Sequence, residues 1–345
     1  MVSDRRRCSR KMSTSEPHIL VTGGAGYIGS HTVIALRDSG KALVVLDNLS
    51  TGTKALVPDD VPMVVGDIKD SNLVRETLKK YAVTAVMHFA GSIVVSESVS
   101  DPLAYYANNT EASLRFISCC HEMDVDAFVF SSTAAVYGDP AERLVDETAP
   151  TMPINPYGAS KLMTERMLRD VSAATGLRIA ILRYFNVAGA DLEGRSGQIG
   201  PNTSHLIRTA AEVARGARSY VEIFGTDYDT PDGTCIRDFI HVSDLATAHV
   251  LALDHLLETR ENLLLNCGYG TGYSVREVLM ATQALVEKPL DIRKADRRLG
   301  DVAELIADSA QIREVLNWTP AYDDLSLIIK TALDWEKRRA VLASS

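Results

Sequence analysis

Short runs of branched aliphatic residues recur along the chain at His18–Gly23, Ala42–Asp47, Pro62–Gly66, Thr84–Phe89, Ala127–Ser132 and Arg178–Phe185. Within these runs neighbouring residues are mostly both apolar rather than alternating with polar ones, so each reads as a strand buried on both faces. Between them lie amphipathic stretches of helical length at Ile28–Ser39, Ser71–Lys80, Pro102–Met123 and Tyr157–Thr175. The last is followed by Gly176, which suits a left-handed helix cap. This alternation predicts an α/β protein built on a doubly wound parallel sheet.

Beyond Gly189 the pattern loosens. The stretches Gly194–Gly200 and Gly225–Gly233 are polar and Gly-rich, and read as long loops over a site or as a crossover between lobes. Amphipathic stretches at Val242–Leu257, Val275–Val286, Ala310–Leu316 and Leu325–Arg338 predict a smaller, less regular α/β lobe towards the C-terminus. The expected division is a flexible tail over 1–16, a dinucleotide-binding domain over 17–189 with a later contribution near 234–262, and a second lobe from 190–233 and 263–345. No internal repeat or membrane-spanning apolar run stands out.

Composition narrows the classes. The 345 residues are 46% hydrophobic and 23% charged, ordinary for a soluble globular protein and unlike a disordered or disulfide-stapled one. The net charge of −9 argues against general binding to nucleic acid or anionic membranes. Arg5, Arg6, Arg7, Arg10 and Lys11 in the tail are too few to reverse that. Five cysteines without a Cys-x-x-Cys pair, and histidines without metal-ligand spacing, favour a reducing cytoplasm and no metal site. The vicinal Cys119 and Cys120 read as buried thiols.

The first run leads into Gly23-Gly24-Ala25-Gly26-Tyr27-Ile28-Gly29, which opens the first helix. Gly23 permits the tight turn, Gly26 admits backbone amides to a pyrophosphate, and Gly29 allows close helix–strand packing. Asp47 follows at the end of the second run, about 20 residues on, where a carboxylate meets the adenosine ribose and disfavours the 2′-phosphate of NADP. NAD is therefore the expected cofactor. Gly66-Asp67-Ile68 and Phe89-Ala90-Gly91 end the third and fourth runs and should flank it.

Asn155-Pro156 then caps and starts the helix carrying Tyr157 and Lys161 four residues apart on one face. An ammonium beside a phenol favours the phenolate, so Lys161 is expected to lower the Tyr157 pKa toward neutrality and make it an acid/base. Ser131, Ser132 and Thr133 bring hydroxyls to the end of the fifth run.

These features resemble the extended short-chain dehydrogenase/reductase family, and within it the nucleotide-sugar 4-epimerases. The resemblance runs from about His18 to Trp335. It rests on Thr22–His31, Leu46–Leu49, His88–Gly91, Ser131–Gly138, Leu182–Asn186, Gly233–Val242 and Arg298–Asp301. It implies a Rossmann domain with a smaller substrate-binding lobe, and redox-neutral C4 epimerisation interconverting UDP-galactose and UDP-glucose through a transient 4-keto sugar. Tyr157, Lys161 and Thr133 would be catalytic, with Lys161 also holding the nicotinamide ribose. NAD would be bound by Gly23, Gly26, Tyr27, Ile28, Gly29, Asp47, Asn48, Asp67, Ile68, Phe89, Ala90, Gly91, Asn108, Tyr157, Lys161 and Phe185. The UDP-sugar would meet Thr133, Asn186, His205, Leu206, Phe224, Arg237, Arg298, Asp301 and Leu305. A homodimer through the helices at Pro102–Met123 and Tyr157–Thr175 is implied too.

The chain departs from the family pattern in three places. Ile93 stands where some members carry lysine, so one cofactor contact is expected to be missing and NAD retention weaker. Thr133 replaces a serine but keeps the hydroxyl. Leu305 stands where a tyrosine in some relatives restricts the sugar's 2-substituent, which leaves room for N-acetylated sugars. Epimerases of UDP-N-acetylglucosamine, UDP-xylose/arabinose or UDP-glucuronate share the chemistry and stay open as alternatives. A nucleotide-sugar 4,6-dehydratase fits less well, because Ala134 and Ala135 occupy the positions of its acidic residues. A non-catalytic NAD-sensing regulator is the alternative from another class, and the retention of Thr133, Tyr157 and Lys161 argues against it.

Overall fold

The runs of paired apolar neighbours become one large parallel sheet in the computed structural model, which describes residues 17–199, 205–298 and 300–342. The expected tail over 1–16 and the end of the Gly-rich stretch at Gly200 lie outside the described residues. In chain order the strands are β1 (Ile19–Thr22), β2 (Leu43–Asp47), β3 (Met63–Val65), β4 (Ala85–His88), β5 (Ala127–Thr133), β6 (Leu144–Val145) and β7 (Arg178–Tyr184). They continue as β8 (Asn186–Ala188), β9 (Val221–Phe224), β10 (Ile236–His241), β11 (Leu263–Cys267), β12 (Gly272–Ser274), β13 (Ile292–Ala295) and β14 (Glu304–Ala307).

The helices are α1 (Tyr27–Asp38), α2 (Ser71–Lys80), α3 (Val95–Ser100), α4 (Pro102–Tyr105), α5 (Ala112–Glu122) and α6 (Pro156–Thr175). After them come α7 (Leu206–Arg215), α8 (Val242–Thr259), α9 (Val275–Ala284), α10 (Ala310–Leu316) and α11 (Leu325–Leu342). Among the described residues no helix is long and apolar enough to cross a membrane.

The large sheet has the order β11-β7-β5-β4-β1-β2-β3 with every pair parallel. Successive side chains point to opposite faces of a strand, and both faces are covered. Val21, Val45, Met87, Val129 and Leu182 enter one core, with α1 and α8 packed together on that side. Their neighbours Leu20, Val44, Val86, Phe128 and Ile181 enter the other, with Phe116 of α5 and Leu168 of α6.

Three expectations are corrected. Residues 263–267, assigned to the second lobe, form β11 and complete the edge of the large sheet beside β7. Conversely, β6 and β8, inside 17–189, and β10, inside 234–262, join a smaller sheet ordered β12-β10-β14-β6 with β8 on β10. Only α8 of that later contribution packs on the large sheet. Short strands with mixed burial carry no periodicity that names their partners, so the lobes interleave more than the sequence suggested. Third, Pro102–Met123 is not uniformly α-helical: a π-helical turn at Tyr106–Glu111 separates α4 from α5. In that turn Asn109 donates to the Ser92 carbonyl (3.0 Å) and the Ser160 hydroxyl (3.1 Å) while accepting from the Ser92 amide (2.8 Å), pinning the loop after β4 to α6.

The α6 start is as its sequence suggests: the Asn155 side chain accepts from the Gly158 amide at 2.9 Å, Pro156 occupies the first turn, and Gly176 ends the helix with φ 78°. The β1–α1 turn is closely packed. Gly23 has φ 71° and its α-carbon faces the Ala90 backbone, and a Cβ on Gly29 would sit 2.2 Å from the Gly23 carbonyl oxygen. Gly29→Ala must therefore push α1 off β1. We expect a cost of roughly 1–3 kcal/mol, read as a lower thermal midpoint; an unchanged midpoint would contradict this packing.

Candidate active site

Parallel strands all end at one edge, so the segments after β1, β4, β5 and β7 emerge side by side. Thr22 pairs with His88, His88 with Phe130, and Thr133 with Tyr184. Together with the smaller sheet they enclose a cleft of about 1110 Å³, slightly above the ~300–1,000 Å³ common for one ligand. Every residue predicted from the sequence to bind cofactor or substrate lines it, with the exception of Lys161.

One half suits a dinucleotide. Gly26 is the N-cap of α1 but supplies no side-chain cap, and the first turn holds no acidic residue. The first-turn amides thus lack protein acceptors and face the cleft with Tyr27, Ile28 and Gly29, a ready anion site. Asp47 is 8% exposed. It accepts from the Ala25 amide (2.9 Å) and the Leu49 amide (2.8 Å), so the carboxylate also shapes the glycine turn. A carboxylate has about four acceptor positions, which leaves lone pairs for a ribose. Asn48 donates to Asp67 at 2.9 Å, holding the loops after β2 and β3 together, and Asn108 donates to the Ser92 hydroxyl at 3.0 Å.

At the centre, the Thr133 hydroxyl accepts from the Ala135 amide at 3.1 Å and lies near the Tyr157 phenol, whose pKa it lowers. That bond uses Thr133 as an acceptor only, which leaves its proton to stabilise a phenolate. Lys161 is 4% exposed; its Nζ donates to the Ser131 carbonyl at 2.9 Å and lies 5.0 Å over the Phe130 ring. It sits behind the cleft wall, where a Cβ on Gly91 would come within 3.7 Å of Nζ. Burial pulls the ammonium down to about 8, opposed by the charge of Glu165.

The expectation that Lys161 lowers the Tyr157 pKa is not met in the protein chain alone. Burial pushes the phenol above its ordinary value, and the Thr133 hydroxyl is the group that draws it back. The physical reason is that burial penalises the phenolate by more than the Thr133 hydroxyl offsets.

The other half is cationic. Arg237 and Arg298 reach it from β10 and the segment before β14. Arg298 stacks 3.5 Å from the Phe224 ring centroid, and Arg237 lies 3.8 Å from the Asp301 carboxylate. His205, beside Gln198 at 2.9 Å, is held neutral by burial, with Arg208 adding to it, at about 4. Leu206 follows it at the start of α7, and Asn186 opens β8. Between the halves, Phe185 and Leu305 pack with Ala134 and Val302 as an apolar floor.

Sequence reasoning named Ser131 for its hydroxyl and not for the carbonyl that anchors Lys161, and it missed the fully buried Glu165, which accepts from Ser132 and from Arg183 of β7. Glu165 falls at the same helical spacing as Tyr157 and Lys161, a signal that was available. Among the described residues no cluster of His, Cys, Asp or Glu could hold a metal ion.

Known proteins align with this arrangement. The family model described as "NAD dependent epimerase/dehydratase family" matches residues 19–268. A UDP-glucose 4-epimerase of Azospirillum brasilense is 55% identical over 325 residues, spanning 94% of this chain and 93% of the relative. The crystal structure of UDP-glucose 4-epimerase from Brucella ovis in complex with NAD superposes with a TM-score of 0.89 at 45% identity, over 92% and 98% of the two chains. The UDP-Glc/GlcNAc 4-epimerase from Campylobacter jejuni gives a TM-score of 0.82 at 47% identity, over 94% and 100%.

The raised phenol can be read directly. In protein freed of ligand, the 295 nm absorbance difference between wild type and Tyr157→Phe should show no phenolate at or below pH ~10, the ordinary tyrosine value. A phenolate signal near pH 7 would show that Lys161 acts on Tyr157 without help.

Proposed function

The chain belongs to the NAD-dependent epimerase/dehydratase family, and on that footing we propose that it interconverts UDP-galactose and UDP-glucose by redox-neutral epimerisation at C4. The observation carrying this reading is the shared cleft: an uncapped helix N-terminus, the Thr133 and Tyr157 hydroxyls and two arginines all line it.

The residues present fit NAD. The first-turn amides of α1 suit a pyrophosphate, and Asp47 retains acceptors for a ribose diol while repelling a 2′-phosphate. When bound, NAD supplies a hydride acceptor that also returns the hydride, so no net oxidation follows. The protein's part is to move a proton and hold the sugar. Tyr157, once in its phenolate form, takes the proton of the 4-hydroxyl and later gives it back; the single Thr133 proton goes to the phenolate or to the 4-oxygen in turn. Lys161 holds the cofactor's ribose end and contributes positive charge. Phe185 and Asn108 border the reacting edge of the cleft.

The diphosphate of the substrate is held by Arg237 and Arg298, since planar guanidinium groups match phosphate oxygens in pairs. Asn186, His205, Leu206, Phe224 and Asp301 surround the nucleotide end. That grip lets the transient ketone turn within the cleft without escaping. Ala134 and Ala135, lining the cleft beside Thr133, offer no acid or base for C5–C6 chemistry, which disfavours the dehydratase. Leu305 is aliphatic and leaves space at the 2-position, so N-acetylated sugars are accepted too. Ile93 lines the cleft, 48% exposed, and brings no charge to the cofactor, so NAD exchanges with the medium.

We further infer a homodimer acting in galactose metabolism in the cytoplasm. Leu103, Leu114 and Met163 are 78%, 49% and 46% exposed and form one largely apolar face with Tyr106, Ala107, Thr110 and Glu111 across α4, the π-turn, α5 and α6. Contiguous exposed apolar surface marks an interface, and the second copy of this chain is its occupant. The buried free thiols Cys119, Cys120, Cys235 and Cys267 suit a reducing compartment, and activity should appear in the cytosolic fraction of lysed cells.

Two measurements check this reading. Purified enzyme given UDP-galactose should yield UDP-glucose without net NADH, faster when NAD is added, and should also convert UDP-N-acetylgalactosamine. Tyr157→Phe should lower kcat by about 10²–10⁴, and a variant with wild-type kcat sinks the assignment. Leu114→Glu should shift the size-exclusion elution from dimer to monomer; a wild type eluting as monomer rejects the interface.

A further inference from the structure

We propose that Glu165 is a positioning residue for this reaction: clamped by Arg183, its carboxylate fixes α6 against the ends of β5 and β7 and balances the charge around Lys161. This rests on the reading of Tyr157 and Lys161 given above.

Tyr157, Lys161 and Glu165 follow one another at four-residue spacing on one helix face. Glu165 is fully buried and Arg183 is 2% exposed. The carboxylate receives four bonds. Ser132 Oγ donates to Oε1 at 2.5 Å and Arg183 Nε to Oε1 at 2.9 Å. Arg183 Nη2 donates to Oε2 at 2.7 Å and Arg169 Nη2 to Oε2 at 2.8 Å. Ser132 lies between Ser131, whose carbonyl anchors Lys161, and Thr133, whose hydroxyl lowers the Tyr157 pKa. One carboxylate therefore sets the height and rotation of α6 relative to both contacts. On the far side, Arg183 Nη1 donates to the Tyr137 hydroxyl at 3.0 Å, and Tyr137 donates to Asn266 of β11 at 2.7 Å, tying three adjacent strands into the same clamp.

The charges around Lys161 explain why an acid is needed there. From β4, His88 is neutral, burial and the Lys161 charge holding it at about 3. From β5 come the Ser131 carbonyl and the Phe130 ring, and from the π-turn the uncharged Asn109 beside Gly91. On α6 itself are the neutral phenol of Tyr157, Glu165 and Arg169; behind Glu165 stands Arg183 of β7. Glu165 is the anion of this set: its charge supports the Lys161 ammonium against burial while it pairs with the two guanidinium groups. Without it, burial and two unbalanced cations would both drive the ammonium to release its proton.

The test is Glu165→Gln, which keeps the shape and removes the charge. A group that must stay protonated loses function as pH rises through its pKa, so removing the anion moves the alkaline limb downward. We expect kcat near the wild-type value at pH 6, at least a tenfold loss by pH 8.5, and a limb displaced to lower pH by one unit or more. NAD affinity, followed by fluorescence titration over the same range, should weaken in parallel. A uniformly reduced kcat with an unmoved limb, or unmoved NAD affinity, would overturn the proposal. Should Glu165→Gln not fold, Ser132→Ala loosens the clamp without burying a lone charge: kcat should fall several-fold at constant KM, and an unchanged kcat would overturn it. Wild type that binds NAD but epimerises no sugar would refute the reading of the reaction, while the NAD titration would still decide the role of Glu165.

Discussion

A parallel sheet buried on both faces is the constraint from which the rest follows. Neither face can be left to water, so helices must cover both, and each crossover returns the chain to the same end of the sheet. All loops that follow a strand therefore gather at one edge. The glycine turn after β1, the Phe89–Gly91 loop after β4, and Thr133 at the end of β5 are neighbours because the strands before them are. The smaller sheet, threaded through β6, β8 and β10, closes the cleft over that edge.

The chemistry then depends on how burial is compensated. A phenol and an ammonium placed at a dry strand edge are each pushed toward their neutral forms, the opposite of what acid–base exchange beside a charged cofactor needs. The fold answers with oriented dipoles and one charge. Thr133 aims a hydroxyl at the phenol, the Ser131 carbonyl accepts from the ammonium, and Glu165 supplies the negative charge nearby. The uncapped amides of α1, and the arginines opposite, of which Arg237 meets Asp301 only at 3.8 Å, are where anionic ligands belong.

Much of this was legible in the sequence where a local pattern has one physical meaning. Paired apolar neighbours marked the buried strands, Asn155-Pro156 and Gly176 marked the ends of α6, and the glycine spacing with Asp47 marked the nucleotide turn. Pairing across the chain was less legible. Leu263–Cys267 looks like any short apolar run, and only its packing beside β7 reveals it as part of the large sheet. The π-turn at Tyr106–Glu111 leaves no trace in hydrophobic periodicity. Arg183 stood inside a recognised stretch without a role, because a buried salt bridge is a property of two distant segments. The Tyr157 pKa was misjudged for a related reason: helical spacing tells that Lys161 is on the same face, but not how deeply the fold buries the phenol.

The account's central claim is that the hydride leaves and returns to the same carbon of the same sugar. It is tested most directly by giving the enzyme UDP-galactose carrying deuterium at C4 and examining the UDP-glucose formed by mass spectrometry and NMR. The account predicts nearly full retention of deuterium at C4, with none in free NADH and none exchanged with water. Loss of the label to solvent, or its accumulation in released NADH, would contradict it.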